Sequence, residues 1–140
     1  MDFDPDNEVV KLCAQGMMTE GEGKLDEAHE LFMQAWGIAS NDFEHFTAAH
    51  YVARNQQQLQ DKLHWNVVSL QYALKIDDEV IASYFPSLYL NFGKSYEDLG
   101  ENELALKNYI YAKEASHYLA VDGYGNMINA GIEAGIKRNS

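Results

Sequence analysis

Five histidines (His29, His45, His50, His64 and His117) and one cysteine, Cys13, are the residues of this chain best suited to holding a metal or moving a proton. Their spacing argues against both. Two imidazoles on one helix share an ion when they stand four residues apart, and His45 and His50 stand five apart. Cys13 has no second cysteine with which to form a thiolate pair. His50 and Arg54 are four apart and share one side of a helix, with Tyr51 and Asn55 beside them. In a closed pocket that set would serve a small ligand or a reaction. His50 itself reads as a partly buried, hydrogen-bonded residue before it reads as a base.

Other chemistries lack their residues. No glycine-rich loop ends in Lys-Ser or Lys-Thr, and no Gly-x-Ser-x-Gly turn occurs. Gly123, Gly125, Gly131 and Gly135 follow no strand, so they make no dinucleotide fingerprint. Asp77-Asp78-Glu79 and Glu97-Asp98 read as helix caps and solvated faces, and Tyr109-Ile110-Tyr111 as packing. No catalytic residue, cofactor or metal is expected. A formal charge of -12 argues against nucleic acid, whose backbone calls for clustered Lys and Arg. With 140 residues and 46% apolar content the chain can build one helical domain with a core. A single cysteine suits a reducing compartment, no signal-like stretch opens the chain, and no run approaches a membrane span. The expectation is a cytoplasmic protein away from membranes, monomeric or weakly dimeric.

The element that organises the chain is Pro86–Leu119. Tyr89, Phe92, Gly93 and Tyr96 form one helical stripe, Leu99-Gly100 ends that helix, and Ala105, Tyr109, Ala112 and Leu119 form a second stripe. The spacing therefore predicts two helices joined by a tight turn. Earlier in the chain, Asp4-Pro5 reads as a helix start, with Val9, Leu12 and Gly16 on one face and Gly21-x-Gly23 as the stop. A helix from about Leu25 carries Ala28, Leu31, Phe32, Ala35 and Trp36. Asn41 and Glu44 suggest a capping box for a helix over 42–55. Its core stripe is Phe46, Ala49, His50 and Ala53, a register preferred because the alternative would bury the charge of Arg54. Gln56-Gln57-Gln58 absorbs about one turn of spare chain before a helix carrying Leu63, Val67, Leu70, Ala73 and Leu74. The stretch 77–85 is either the start of a kinked long helix or a short separate turn. A last helix over 122–137 has Met127, Ala130, Gly131 and Ala134 as its stripe, and Gly131 and Gly135 allow close approach to a neighbour.

Counted from Pro86, Tyr89, Phe92, Gly93, Tyr96, Gly100, Ala105, Tyr109 and Ala112 stand at positions 4, 7, 8, 11, 15, 20, 24 and 27. Counted from Val9, Leu12, Gly16, Gly23, Ala28, Phe32 and Ala35 fall on the same pattern. This resembles the tetratricopeptide repeat family. The resemblance implies an all-α, right-handed superhelix of three hairpins (about 5–41, 42–76 and 77–120) plus a capping helix over 122–138, in one domain. It implies a non-enzymatic adaptor that binds a peptide or protein segment in a concave groove lined by the first helices. Carried over by position, the groove takes Val10, Cys13, Met17 and Glu20 from the first hairpin. The second gives Glu44, Thr47, Tyr51, Arg54 and Asn55, with His50 alongside. The third gives Ser87, Leu90, Asn91, Lys94, Glu97 and Asp98. Cys13 and Met17 stand where relatives that hold a chaperone's C-terminal carboxylate carry Lys and Asn, so that specificity is not expected. Two alternatives remain open: a self-associating scaffold, and a small-ligand or enzymatic site around His50 and Arg54.

Overall fold

A computed structural model describes residues 4–140. Among these the chain is helical throughout, with no strand: α1 Glu8–Gly21, α2 Leu25–Ile38, α3 Asp42–Asn55, α4 Leu59–Ala73, α5 Glu79–Ala82, α6 Phe85–Asp98, α7 Asn102–Glu114, a 3-10 turn Ser116–Tyr118, and α8 Gly123–Asn139. It divides into two compact units, an N-terminal one ending at Ile76 and a C-terminal one from Asp77 to Ser140.

In the N-terminal unit, α1 begins three residues later than Asp4-Pro5 suggests. Asn7 is the cap, its Oδ1 accepting the N–H groups of Val9 and Val10 at 2.9 and 3.1 Å. The Asp4 carboxylate is taken up in a preceding turn by the N–H of Asp6, so Pro5 shapes the approach rather than the first helical turn. Gly23 turns the chain into α2 with a positive φ of 83°, a conformation only glycine adopts without strain. The two helices touch most closely where Gly16 faces Phe32. A Cβ on Gly16 would lie 2.3 Å from the Phe32 ring. α3 packs on this pair through Ala48 and Val52, against Val9, Cys13, Ala35, Ala28 and Phe32.

The start of α3 is a modified capping box. Asn41 Oδ1 accepts the N–H of Glu44 at 2.8 Å, while the Glu44 carboxylate returns to the N–H of Ser40 at 2.9 Å, one residue before the cap. Phe46, Ala49 and Ala53 are buried and Arg54 is exposed, as the preferred register requires, while His50, the fourth residue of that stripe, is half-buried. α4 departs from expectation. Its buried side carries Asn66, Ser69 and Ala73, with the Ser69 hydroxyl donating to the Phe46 carbonyl at 3.1 Å. Leu63, Val67 and Leu70 are only half-buried, and Leu74, just past the helix end, is 60% exposed. The bulk missing from this side is supplied by aromatics. Trp36 meets Trp65, His45 and Tyr72 edge-on at centroid distances of 5.1, 4.9 and 6.0 Å.

In the C-terminal unit the short separate helix is the outcome for 77–85: Asp78 caps α5, and Pro86 sits in the first turn of α6, where its missing N–H costs nothing. Gly100, at φ 80°, turns α6 into α7. Leu90, Ala105, Tyr109, Ala112, Ile128 and Ile132 form the core. The Tyr109 ring lies between two glycine surfaces: a Cβ on Gly93 of α6 would come within 2.6 Å of it, and one on Gly135 of α8 within 2.5 Å. This corrects the expected register of α8 by one residue. The inward stripe is Gly125, Ile128, Ile132 and Gly135, while Met127, Ala130 and Ala134 face out, Met127 at 61% exposure. The longer, branched Ile side chains take the core and leave the smaller or more flexible residues outside. Asp122 caps α8 by accepting the N–H of Gly125 at 2.7 Å.

Candidate binding surfaces

Four of the seven expected site residues, His50, Tyr51, Arg54 and Asn55, lie on the last two turns of α3 in the N-terminal unit. Arg54 and Asn55 share a polar network with α1 and α2. The Arg54 guanidinium meets the Glu20 carboxylate at 2.9 Å. Asn55 Nδ2 donates to the same carboxylate at 3.4 Å, and Asn55 Oδ1 lies 3.1 Å from His29 Nδ1. Asn55 is 8% exposed in this arrangement, whereas half of the Arg54 side chain stays open, with donors unspent among the described residues. Ion pairs this exposed contribute little to stability, about 0–1 kcal/mol, so the network orients Arg54 more than it secures the fold.

Tyr51 and His50 sit one turn earlier. Tyr51 is half-buried, stacked on Phe32 at 5.6 Å, and burial raises its phenol pKa, with Cys13 adding to the rise and Arg54 opposing it. The His50 ring packs edge-on against Tyr51 at 5.4 Å, and its Nδ1 is buried with no hydrogen-bond partner among the described residues. Burial, reinforced by the Arg54 charge, lowers the His50 pKa. His50 is therefore neutral at pH 7 and is not a cation for a carboxylate.

The other three lie on α6 in the C-terminal unit. Ser87, Asn91 and Lys94 share one side of the helix. The Ser87 hydroxyl donates to the Tyr84 carbonyl at 3.0 Å, Asn91 is half-buried, and Lys94 is exposed without an ion-pair partner among the described residues. Further residues carried over from the repeat pattern do not face a groove. Cys13 is 2% exposed and its thiol pKa is pushed up to about 12 by burial. Thr47 and Leu90 are buried at 2% and 6% exposure. Glu44 is occupied by Asn7 at 2.8 Å and by Ser40, and the Asn7 bond is the main reason its pKa falls. Glu97 is occupied by Arg138, Nε at 2.8 Å, and by the Tyr109 hydroxyl at 2.7 Å. These bonds hold its carboxyl down at about 2, while burial and the Glu97 partner push Tyr109 up to about 12.

Two adjoining open clefts complete the surface of the N-terminal unit. One, of about 400 Å³, is lined by Glu20, Leu25, Arg54, Asn55, Gln56, Gln57, Leu59 and Lys62. The other, of about 230 Å³, is lined by Leu25, Asp26, His29, Asn55, Gln56, Gln57, Gln58 and Asp61. The sequence places Arg54 and Asn55 in a groove with Ser87, Asn91 and Lys94 and treats Gln56-Gln57-Gln58 as spare chain, whereas these clefts set Arg54 and Asn55 beside the glutamines. Three consecutive amide side chains on a connection this short were the available signal. Among the described residues no three His, Cys, Asp or Glu side chains gather as a metal site requires, and no helix is long and apolar enough to cross a membrane. No family model, curated protein or solved structure matches the chain.

Proposed function

We propose that the chain is a non-enzymatic interaction module of tetratricopeptide-like build that binds an extended polypeptide segment on the α3 side of its N-terminal unit. The observation that carries this reading is Arg54: paired with Glu20, half exposed, and lining an open cleft together with the amide side chain of Asn55. An oriented guanidinium beside amides suits a ligand offering carboxylate and peptide groups together. Neutral His50 and half-buried Tyr51 add an aromatic surface one turn away. The open clefts favour a chain-like ligand over an enclosed small molecule. Two hairpins with the same Gly-to-aromatic contact, Gly16–Phe32 and Gly93–Tyr109, support the repeat reading.

The test is peptide selection on the immobilised protein, followed by titration of the best binders. Arg54→Ala is expected to weaken them about tenfold or more, equivalent to at least about 1.4 kcal/mol, and Tyr51→Ala by less. Selected peptides that bind both variants as well as the parent would remove the proposed site.

A further inference from the structure

The two clefts of the N-terminal unit differ in charge: the larger has two cations and one carboxylate, the smaller two carboxylates. They share Leu25, Asn55, Gln56 and Gln57 as a common wall, so a ligand crossing that wall enters both. On one side stand Lys62, with no ion-pair partner among the described residues, and Arg54, half exposed and paired with the Glu20 carboxylate that lines the same cleft. On the other stand Asp26 and Asp61, from α2 and α4, neither of them paired with a cation among the described residues. Each aspartate lies in the first turn of its helix, where the helix dipole favours a carboxylate. The dipole explains each one separately and does not explain why both line the same cleft. Apart from Leu25 the shared wall is amide: Asn55 is engaged by Glu20 and His29 and Gln56 donates to the Val52 carbonyl at 3.2 Å, which leaves Gln57 and the remaining Gln56 groups to match a peptide backbone.

Resting on the peptide-binding reading above, we infer that the segment bound has mixed charge. An acidic side chain goes to Lys62 and Arg54, a basic one goes to Asp26 and Asp61, and the backbone between them lies on Gln56 and Gln57. A uniformly acidic ligand meets the two aspartates and is rejected from the smaller cleft. A uniformly basic one meets Lys62 and Arg54. Selectivity thus comes from repulsion as much as from attraction.

Four end-capped, dye-labelled peptides on one Gly-Ser backbone test this by fluorescence anisotropy: one bearing Glu and Arg, one Glu alone, one Arg alone, and one uncharged. The Glu-and-Arg peptide is expected to bind at least about tenfold more tightly than either single-charge peptide, with affinity falling as salt is raised. Lys62→Glu should abolish the advantage given by Glu. Asp26→Asn with Asp61→Asn should abolish the advantage given by Arg and strengthen binding of the Glu-alone peptide, because the repulsion is gone. All these positions lie at the surface of the cleft, and circular dichroism verifies that each variant is folded. Equal binding of the four peptides, or an advantage that persists in the variants, overturns the mixed-charge inference while leaving peptide binding intact. So does a selected peptide that binds through Arg54 while all four designed ones fail. If neither selected nor designed peptides bind the parent protein, the underlying reading fails with it.

Discussion

Glu97 shows how much one side chain can organise. It accepts from Arg138 at the end of α8 and from the Tyr109 hydroxyl on α7, and so ties both helices to the last turn of α6. Its carboxyl is held near 2, chiefly by Arg138 and then by Tyr109. A depressed carboxyl pKa stabilises the fold in full above the ordinary carboxylate range, and the contribution is lost as pH falls toward about 2. In an acid titration followed by circular dichroism, Glu97→Gln should therefore narrow the gap in stability between pH 7 and strongly acidic pH. A titration unchanged by the substitution would mean that the contact carries no linked protonation. The sequence marked Glu97 for a groove because it read position in a repeat, and position says nothing of a partner 41 residues on. Arg54 and Asn55 could be singled out by side-chain type, and both line an open cleft. Cys13 and Thr47 were not legible as buried, since a residue's side of a helix bundle depends on which neighbours arrive.

At the scale of elements, the hairpin turns and helix limits could be read directly. Gly23 and Gly100 adopt the positive φ that their place after a helix foretold, and α3 runs over the span its cap predicted. The face of α8 was misread by one residue. Its glycines and alanines make several stripes nearly equivalent by periodicity, and only contact with Tyr109 and Leu90 separates them. That contact has a measurable cost. Gly93→Ala places a methyl group within 2.6 Å of a ring already closed in by Gly135. The gain in helix propensity, about 1 kcal/mol, should be outweighed by overpacking of about 1–3 kcal/mol. A lower urea midpoint is expected. Gly37→Ala in α2 meets nothing within 4 Å and should hold the midpoint or raise it. If Gly93→Ala were the more stabilising of the two, the ring would be less confined than the geometry states.

Across the whole molecule the notable regularity is internal. Gly16, Glu20, Gly23, Ala28, Phe32 and Ala35 recur 77 residues later as Gly93, Glu97, Gly100, Ala105, Tyr109 and Ala112. The repeated residues do the same work in each unit: the glycine admits the ring, and the glutamate meets an arginine on the next long helix packed against the hairpin, Arg54 in one case and Arg138 in the other. The α3–α4 hairpin lacks this set, having His50 where the close-packed glycine would stand. The correspondence makes the two hairpins templates for each other. One position breaks it, since Phe32 has no hydroxyl to offer Glu20 as Tyr109 does to Glu97. A hydroxyl added to a fully buried ring and left unpaired costs about 1–3 kcal/mol. If the units are interchangeable parts, Phe32→Tyr should cost much less, because the acceptor it needs is already in place. The N-terminal unit would then carry a bond borrowed from its counterpart, visible as a near-unchanged melting temperature and a phenol that resists ionisation at high pH.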